Sequence, residues 1–428
     1  MTVITNNSIT GINSITAQAG TLNFYDSTGS QIAIGASVTG DITGNLTGNV
    51  TGIVTATGGS ITGVSTIGTT NLTVNGNAYP ATGPLSNRNL IINGAMQAAQ
   101  RGTSATSPGY QTVDRFTLGR TLGDATFSIS QDSSGPSGFS KCLEVDITAA
   151  ETSVAAGEYI NIQHKIEAQN LQQLDYGTSD AKQVTLSFWV RSSVTGTYAV
   201  TNFQQDGNRI IGATYTIDSA NTWEYKTITF TGDTGGTINN DNGEGFRLYW
   251  WLSAGSDFTS TDNTSWGSYE LGKLAYGHTA NDFVTTLNAN WRITGVQLEV
   301  GSVATPFEHR SFSDELAKCQ RYYYRVTSNN DHTIAVGYNQ NTSATRHMTF
   351  FPVTMRVQPS ALEQSGTASD YSIYHGTTIT VCTSVPVFTN CTTHCAEVQA
   401  TASSSLTAGQ GSLLSMESTG YLAWSAEL

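Results

Sequence analysis

The run SVTGDITGNLTGNVTG, from Ser37 to Gly52, repeats every four residues. Each unit holds one aliphatic residue (Val38, Ile42, Leu46 and Val50), then Thr and Gly, and the first three end in Asp or Asn. The phrase SITG also occurs twice, at Ser8–Gly11 and Ser60–Gly63. Similarity at a fixed period is the mark of a repeat architecture. One aliphatic side chain in four cannot build a core within a single chain. An alternating strand offers one in two, and an amphipathic helix presents a wider stripe. The glycine in each tetrad adds an entropic cost to ordering. Two outcomes remain. The segment is a disordered linker, as Gly/Ser/Thr-rich tracts of low charge often are, or several chains wind together and point Val38, Ile42, Leu46 and Val50 at a common axis. The regular spacing favours the second, because a flexible linker has no need of it. Upstream, Leu22–Asp26, a Ser-Thr-Gly turn and Ile32–Ile34 read as a hairpin that could serve as a docking foot.

Composition sets the fold class of the rest. Only 12% of the 428 residues are charged, while Gly, Thr, Ser and Asn abound. Long helices want Ala, Leu, Glu and Lys, whereas short strands joined by polar turns suit this profile. The expected class is all-β. The net charge of −13 and the lack of a basic run argue against a nucleic-acid partner and against an anionic membrane surface. No apolar run approaches the roughly 18 residues of a membrane span, and no secretory signal is visible at the N-terminus. Assembly in a cytoplasm is expected. Five cysteines in a chain of this length are not a disulfide framework.

Pro80 and Pro84, set among glycines, mark a boundary. The expected domains are 1–83, an attachment segment and repeat shaft; 84–310, a β-sandwich; and 311–428, a short helix followed by a smaller β domain. In the second, Val184, Leu186, Phe188 and Val190 alternate with Thr185, Ser187, Trp189 and Arg191. Phe246, Leu248, Trp250 and Leu252 likewise oppose Arg247, Tyr249 and Trp251, and Val296, Leu298 and Val300 oppose Gln297, Glu299 and Gly301. One-face burial with turn clusters between the runs means an antiparallel sandwich or jelly roll. A helix is expected over 311–323, capped by Ser313, with Cys319 as a small buried hydrophobe. The run Tyr421–Leu428 reads as a strand tied into a sheet.

Four patches of the sequence resemble phage fibre proteins, especially those of marine and cyanobacterial phages. They are Asn87–Gln97 with Gln100-Arg101-Gly102 and Val113–Phe116; Trp291–Gly301 with Thr305–Glu308; the join from Phe307 to Tyr324; and the N-terminal tetrads. The Leu186–Arg191 strand is similar to those of carbohydrate-binding jelly rolls. The resemblance implies a homotrimer whose shaft is an intertwined β structure, attached to a virion protein of tail or capsid through its N-terminal segment. It further implies a virion location and binding of host-surface polysaccharide. A receptor-binding tail fibre is the expectation. A capsid-decorating head fibre or a collar or adaptor fibre, mainly structural, is the alternative, and a glycan-cleaving tail spike the third reading.

Sugar rings stack their C–H faces on flat side chains while polar groups fix the hydroxyls. The glycan-binding candidates are therefore aromatic. Trp189, Tyr249 and Trp251 point away from the aliphatic faces of their strands. Trp266 and Tyr269 lie in a polar, loop-like stretch beginning at Thr259. Each also has a structural reading: Trp266 would pin its loop, and the strand aromatics would pack under a neighbouring loop. No carboxylate pair stands in a recognisable motif, nor is there a Gly-x-Ser-x-Gly elbow or a His-Glu-x-x-His helix, so no enzyme activity is expected. Cys391, His394 and Cys395, with Cys382 nearby, lack a second pair to complete a metal site, and no metal or cofactor is expected. His309-Arg310 reads as a hinge, with Tyr322–Tyr324 packing at the same junction.

Overall fold

The computed structural model describes residues 86–328 and 332–428, together with Thr28 and two short antiparallel strands, β1 (Leu72–Val74) and β2 (Asn77–Tyr79). The chain divides into two compact units, Met1–Ile67 and Gly68–Leu428, and the described strands all belong to the second. The tetrads with Val38, Ile42, Leu46 and Val50, and the hairpin expected at 22–34, lie outside the described residues.

Twelve strands make the larger sandwich: β3 (Ser104–Ala105), β4 (Phe116–Thr121), β5 (Thr126–Asp132), β6 (Cys142–Ala149), β7 (Tyr159–Glu167), β8 (Val184–Ser192), β9 (Gly196–Gln204), β10 (Arg209–Ile217), β11 (Glu224–Phe230), β12 (Glu244–Ala254), β13 (Gly267–Ser268) and β14 (Asn290–Val300). They form two six-stranded antiparallel sheets. The first runs β13-β10-β9-β12-β7-β4 and the second β11-β8-β14-β6-β5-β3. Strands that follow one another in the chain often lie in opposite sheets, as in a jelly roll. The expected inward faces hold: Leu186, Phe188 and Val190 of β8, Leu248, Trp250 and Leu252 of β12, and Val296 and Leu298 of β14 are all fully buried in one core. Trp250 lies at its centre, with its ring 6.1 Å from Phe188 and 6.3 Å from Phe116.

Ten strands build the C-terminal part: β15 (Tyr323–Thr327), β16 (His332–Asn339), β17 (Ala344–Phe350), β18 (Leu362–Gln364), β19 (Tyr371–His375), β20 (Thr378–Val381), β21 (Ser384–Cys391), β22 (Cys395–Thr401), β23 (Gly411–Met416) and β24 (Tyr421–Ser425). A seven-stranded sheet runs β20-β19-β23-β16-β17-β22-β21, and a three-stranded sheet runs β15-β24-β18. The all-β class expected from composition is thus the class observed. The apolar run from Tyr421 is the central strand of the smaller sheet, and Leu422 and Trp424 are buried with Ile373, Leu414 and Met416 in a second core.

Between the cores lies the helix, Phe312–Gln320. Its cap is Ser311, whose hydroxyl accepts from the Asp314 amide, rather than Ser313. The cap residue must sit before the helical turn with extended backbone, and Ser311 does so at φ −61°, ψ 148°. The helix also ends earlier than expected, because Tyr323 already belongs to β15. Tyr322 and Tyr323 do pack at the junction. The guanidinium of Arg115 sits 3.5 Å above the Tyr322 ring, and that of Arg101 3.5 Å above Tyr323. Glu167 pairs with Arg321 at 2.8 Å and accepts from the Tyr322 hydroxyl. Among the described residues no helix is long and apolar enough to cross a membrane.

Truncating the central ring should leave a cavity that the two sheets cannot close. Trp250→Ala is expected to lower stability by about 3–5 kcal/mol in urea denaturation followed by far-UV circular dichroism.

Candidate functional site

The outer face of the second sheet carries the site. Strand alternation turns Ser187 and Trp189 outward on β8, and the β11–β8 register sets Tyr225 directly opposite Trp189. The two rings lie 5.3 Å apart. On the other side of β8, strand β14 bulges between Thr294 and Gln297. Bulges re-aim side chains and recur beside functional sites. Gly295 occupies the bulge at φ +62°, and a Cβ there would stand 2.7 Å from Phe139 Cζ and 3.1 Å from Trp189 Cδ1. Only a glycine lets both rings lie this close to the sheet.

A strap, residues 304–309, crosses β14 beyond the bulge. Glu299, buried on the outer face, accepts from the Thr305 amide at 2.8 Å and from its hydroxyl at 2.6 Å. Gln297 accepts from the Glu308 amide at 2.8 Å, and Arg88 donates to the Thr305 hydroxyl at 2.8 Å. These bonds fix where Phe307 and His309 fall. The Phe307 ring lies 5.0 Å from Phe139 and 4.9 Å from His309. Phe139 arrives from the β5–β6 loop, where its amide donates to the Pro136 carbonyl at 2.9 Å.

The outcome is an open groove of about 460 Å³ lined by Trp189, Tyr225, Phe139, Phe307 and His309 with Ser137, Ser187 and Thr305. Tyr225 remains 44% exposed. Partial burial raises its phenol above the ordinary value, so it is a neutral hydrogen-bond donor at physiological pH. No carboxylate and no lysine or arginine lines the groove among the described residues. Flat rings with a few hydroxyl and imidazole groups suit a neutral, hydroxyl-rich ligand with apolar C–H faces.

Of the five residues expected from sequence, only Trp189 lies here. Tyr249 and Trp251 do point outward from their strand, but on the first sheet, and they form no open platform. Residues 255–289 fold back over that face as a cap. Phe258, Leu274 and Ala275 pack on Tyr249 and Trp251, and Trp251 is 1% exposed. The cap is tied down along its length: Gly212 N donates to Asn263 O at 2.8 Å, Thr279 N to Thr197 O at 2.9 Å, and Ala254 N to Asn281 Oδ1 at 3.0 Å. Trp266 pins the cap: its indole N–H donates to the Thr231 carbonyl at 2.7 Å and its ring meets Tyr176 edge-on. Tyr269 rests against Phe203 with its ring partly exposed. Phe139 and Tyr225 carried no signal of their own in the sequence, whereas a glycine within the Trp291–Val300 strand is a pointer to a bulge or a close approach.

A smaller cavity, about 200 Å³, lies at the junction between Asn89, His164, Arg310 and Tyr322. Its Arg310 is engaged with Glu308 and Glu315, and Lys165 with Glu244. All five cysteines are unbridged thiols, and among the described residues no group of His, Cys, Asp and Glu is placed to hold a metal ion.

No family model matches the chain, and no curated protein matches it by sequence. Solved structures do align with it over about half its length. The enzymatically active domain of tailspike protein 4 from bacteriophage CBA120 aligns at 14% identity and TM-score 0.28, over 50% of this chain and 21% of that one. A Bacteroides thetaiotaomicron protein described as sugar-binding aligns at 10% and 0.30, over 50% of this chain and 100% of that one. The family 11 carbohydrate-binding module of a Clostridium thermocellum cellulosomal cellulase aligns at 12% and 0.25, over 49% and 98%.

His278 makes the cap sensitive to acid. Burial pulls its imidazole from 6.5 down to about 3, against an opposing hydrogen bond from Asn281. In the fold its Nδ1 accepts from the Ala199 amide at 3.4 Å. The unfolded chain binds this proton near pH 6.5 and the folded chain does not until about 3. The stability it contributes is therefore complete above 6.5 and lost as pH falls towards 3. Between pH 7 and 5 the wild type should lose about 2 kcal/mol more than a His278→Gln variant in urea titrations. Equal losses would contradict this account.

Proposed function

We propose that the chain is a phage-type fibre protein that binds carbohydrate of a host cell surface in the groove on the second sheet. The observation that supports this reading is the groove itself: Trp189 and Tyr225 side by side, Phe139, Phe307 and His309 facing them, and polar groups between. The absence of charged lining residues among those described favours a neutral polysaccharide. It also favours binding over cleavage, since glycoside hydrolysis uses two carboxylates flanking the bond. In the same reading the tetrads of Val38, Ile42, Leu46 and Val50 form the shaft of a homotrimer, and the segment before them attaches to a tail or capsid protein. Three weak sites presented together raise avidity without a tight single site.

The test is titration of the purified full chain with host surface polysaccharide. Trp189→Ala and Tyr225→Ala should each weaken binding about tenfold, the equivalent of one aromatic contact, with melting temperatures close to wild type and no release of reducing ends. Binding that survives both substitutions would place the carbohydrate elsewhere.

A further inference from the structure

The C-terminal seven-stranded sheet buries one face and leaves large apolar side chains exposed on the other among the described residues. Register puts Ile379 opposite Tyr374, Tyr374 opposite Leu413, Leu413 opposite Val336, and Val336 opposite Met348. Antiparallel partners share a face, so five apolar side chains form a row across β20, β19, β23, β16 and β17. Tyr338, Phe350, Val381 and Val387 flank it on the same face. Phe350 is 67% exposed, Val336 and Ile379 52%, and Leu413 39%. The exposed parts of the seven most exposed of these nine side chains sum to on the order of 600 Å². That is the upper end for a lone monomer and close to the roughly 800 Å² each partner gives to a stable interface.

We infer that this face is a contact between copies of the chain itself. Charge selects the occupant. A surface that meets its own copy must not repel itself, and the one ion pair in these rows among the described residues, Arg346 with Glu397 at 2.9 Å, is internally neutralised. The chain as a whole carries −13, so copies repel one another over most of their surface, and an uncharged apolar face is where they can approach. The tetrads give a second, separate reason for copies to lie together, since one aliphatic residue in four finds no core within a single chain. The inference goes beyond the shaft: it assigns the C-terminal sheet its own share of the assembly.

The test uses the full chain in a Cys395→Ser background, with Val336→Cys as the reporter and Ser404→Cys, in an exposed loop, as the reference. Maleimide labelling is read together with mass by light scattering. The expected result is a particle of more than one chain in which position 336 labels at least tenfold more slowly than position 404, and in which adding Leu413→Asp removes that protection without changing the melting temperature. Three results would overturn the inference. They are equal labelling at 336 and 404, protection in a particle of single-chain mass (which would make another segment of the same chain the cover), and protection that persists with Leu413→Asp.

Discussion

A β-sheet has two faces, and packing two sheets into a sandwich buries only one face of each. The rest of this molecule depends on how the remaining faces are treated. On the first sheet, residues 255–289 close the outer face with Phe258, Leu274 and Ala275, turning Tyr249 and Trp251 into a second, minor core. On the second sheet the cover is narrow. The strap 304–309 crosses only β14, and the strip over β8 and β11 stays open with aromatic rings in it. On the C-terminal sheet the row from Ile379 to Met348 keeps Ile379, Leu413 and Val336 exposed among the described residues. A closed face, a half-closed one and an open one leave, in turn, a packed minor core, an aromatic groove and an exposed apolar row.

Much of this was legible in the sequence, and the reason for each gap is physical. Alternation has a period of two within one strand, so the inward faces of β8, β12 and β14 could be assigned without knowing their neighbours. Which strand lies beside which is a matter of long-range pairing. Nothing local to Glu224-Tyr225-Lys226 says that Tyr225 will face Trp189, and so half of the groove was invisible. Outward direction was read correctly for Tyr249 and Trp251, but direction is not exposure. The cap that buries them comes from residues further along the chain, and its own polar sequence concealed the three apolar residues that do the packing. The helix was placed with its cap two residues late because two serines compete there, and backbone conformation, not residue type, selects Ser311.

The groove depends on a buried carboxylate that never touches it. Glu299 holds both polar groups of Thr305, and through that grip Phe307 and His309 are set against Phe139. Gly295 works from the other side by leaving room for the Phe139 and Trp189 rings. The aromatic surface is thus held by strand, bulge and strap together rather than by a mobile loop. Such rigidity limits the conformational entropy lost when a ligand binds.

The junction between the two cores adds an order in time. Arg115 is wholly buried in the first sandwich, and its carboxylate partner, Glu427, stands 312 residues further along. Burial alone would lower the guanidinium's pKa, and the Glu427 carboxylate acts against this together with Tyr110 and Tyr322, so that the net shift is upward. Arg101 shares the same carboxylate at 3.2 Å, and Lys165 reaches the main-chain oxygen of Leu428 at 2.7 Å. A ribosome that has released only the first sandwich has released a cation with no counter-ion. Before residue 427 is made, Arg115 can donate to the Lys165 carbonyl but lacks its carboxylate partner. A chain that lacks residue 427 therefore differs chemically at Arg115, far from the residue that is missing.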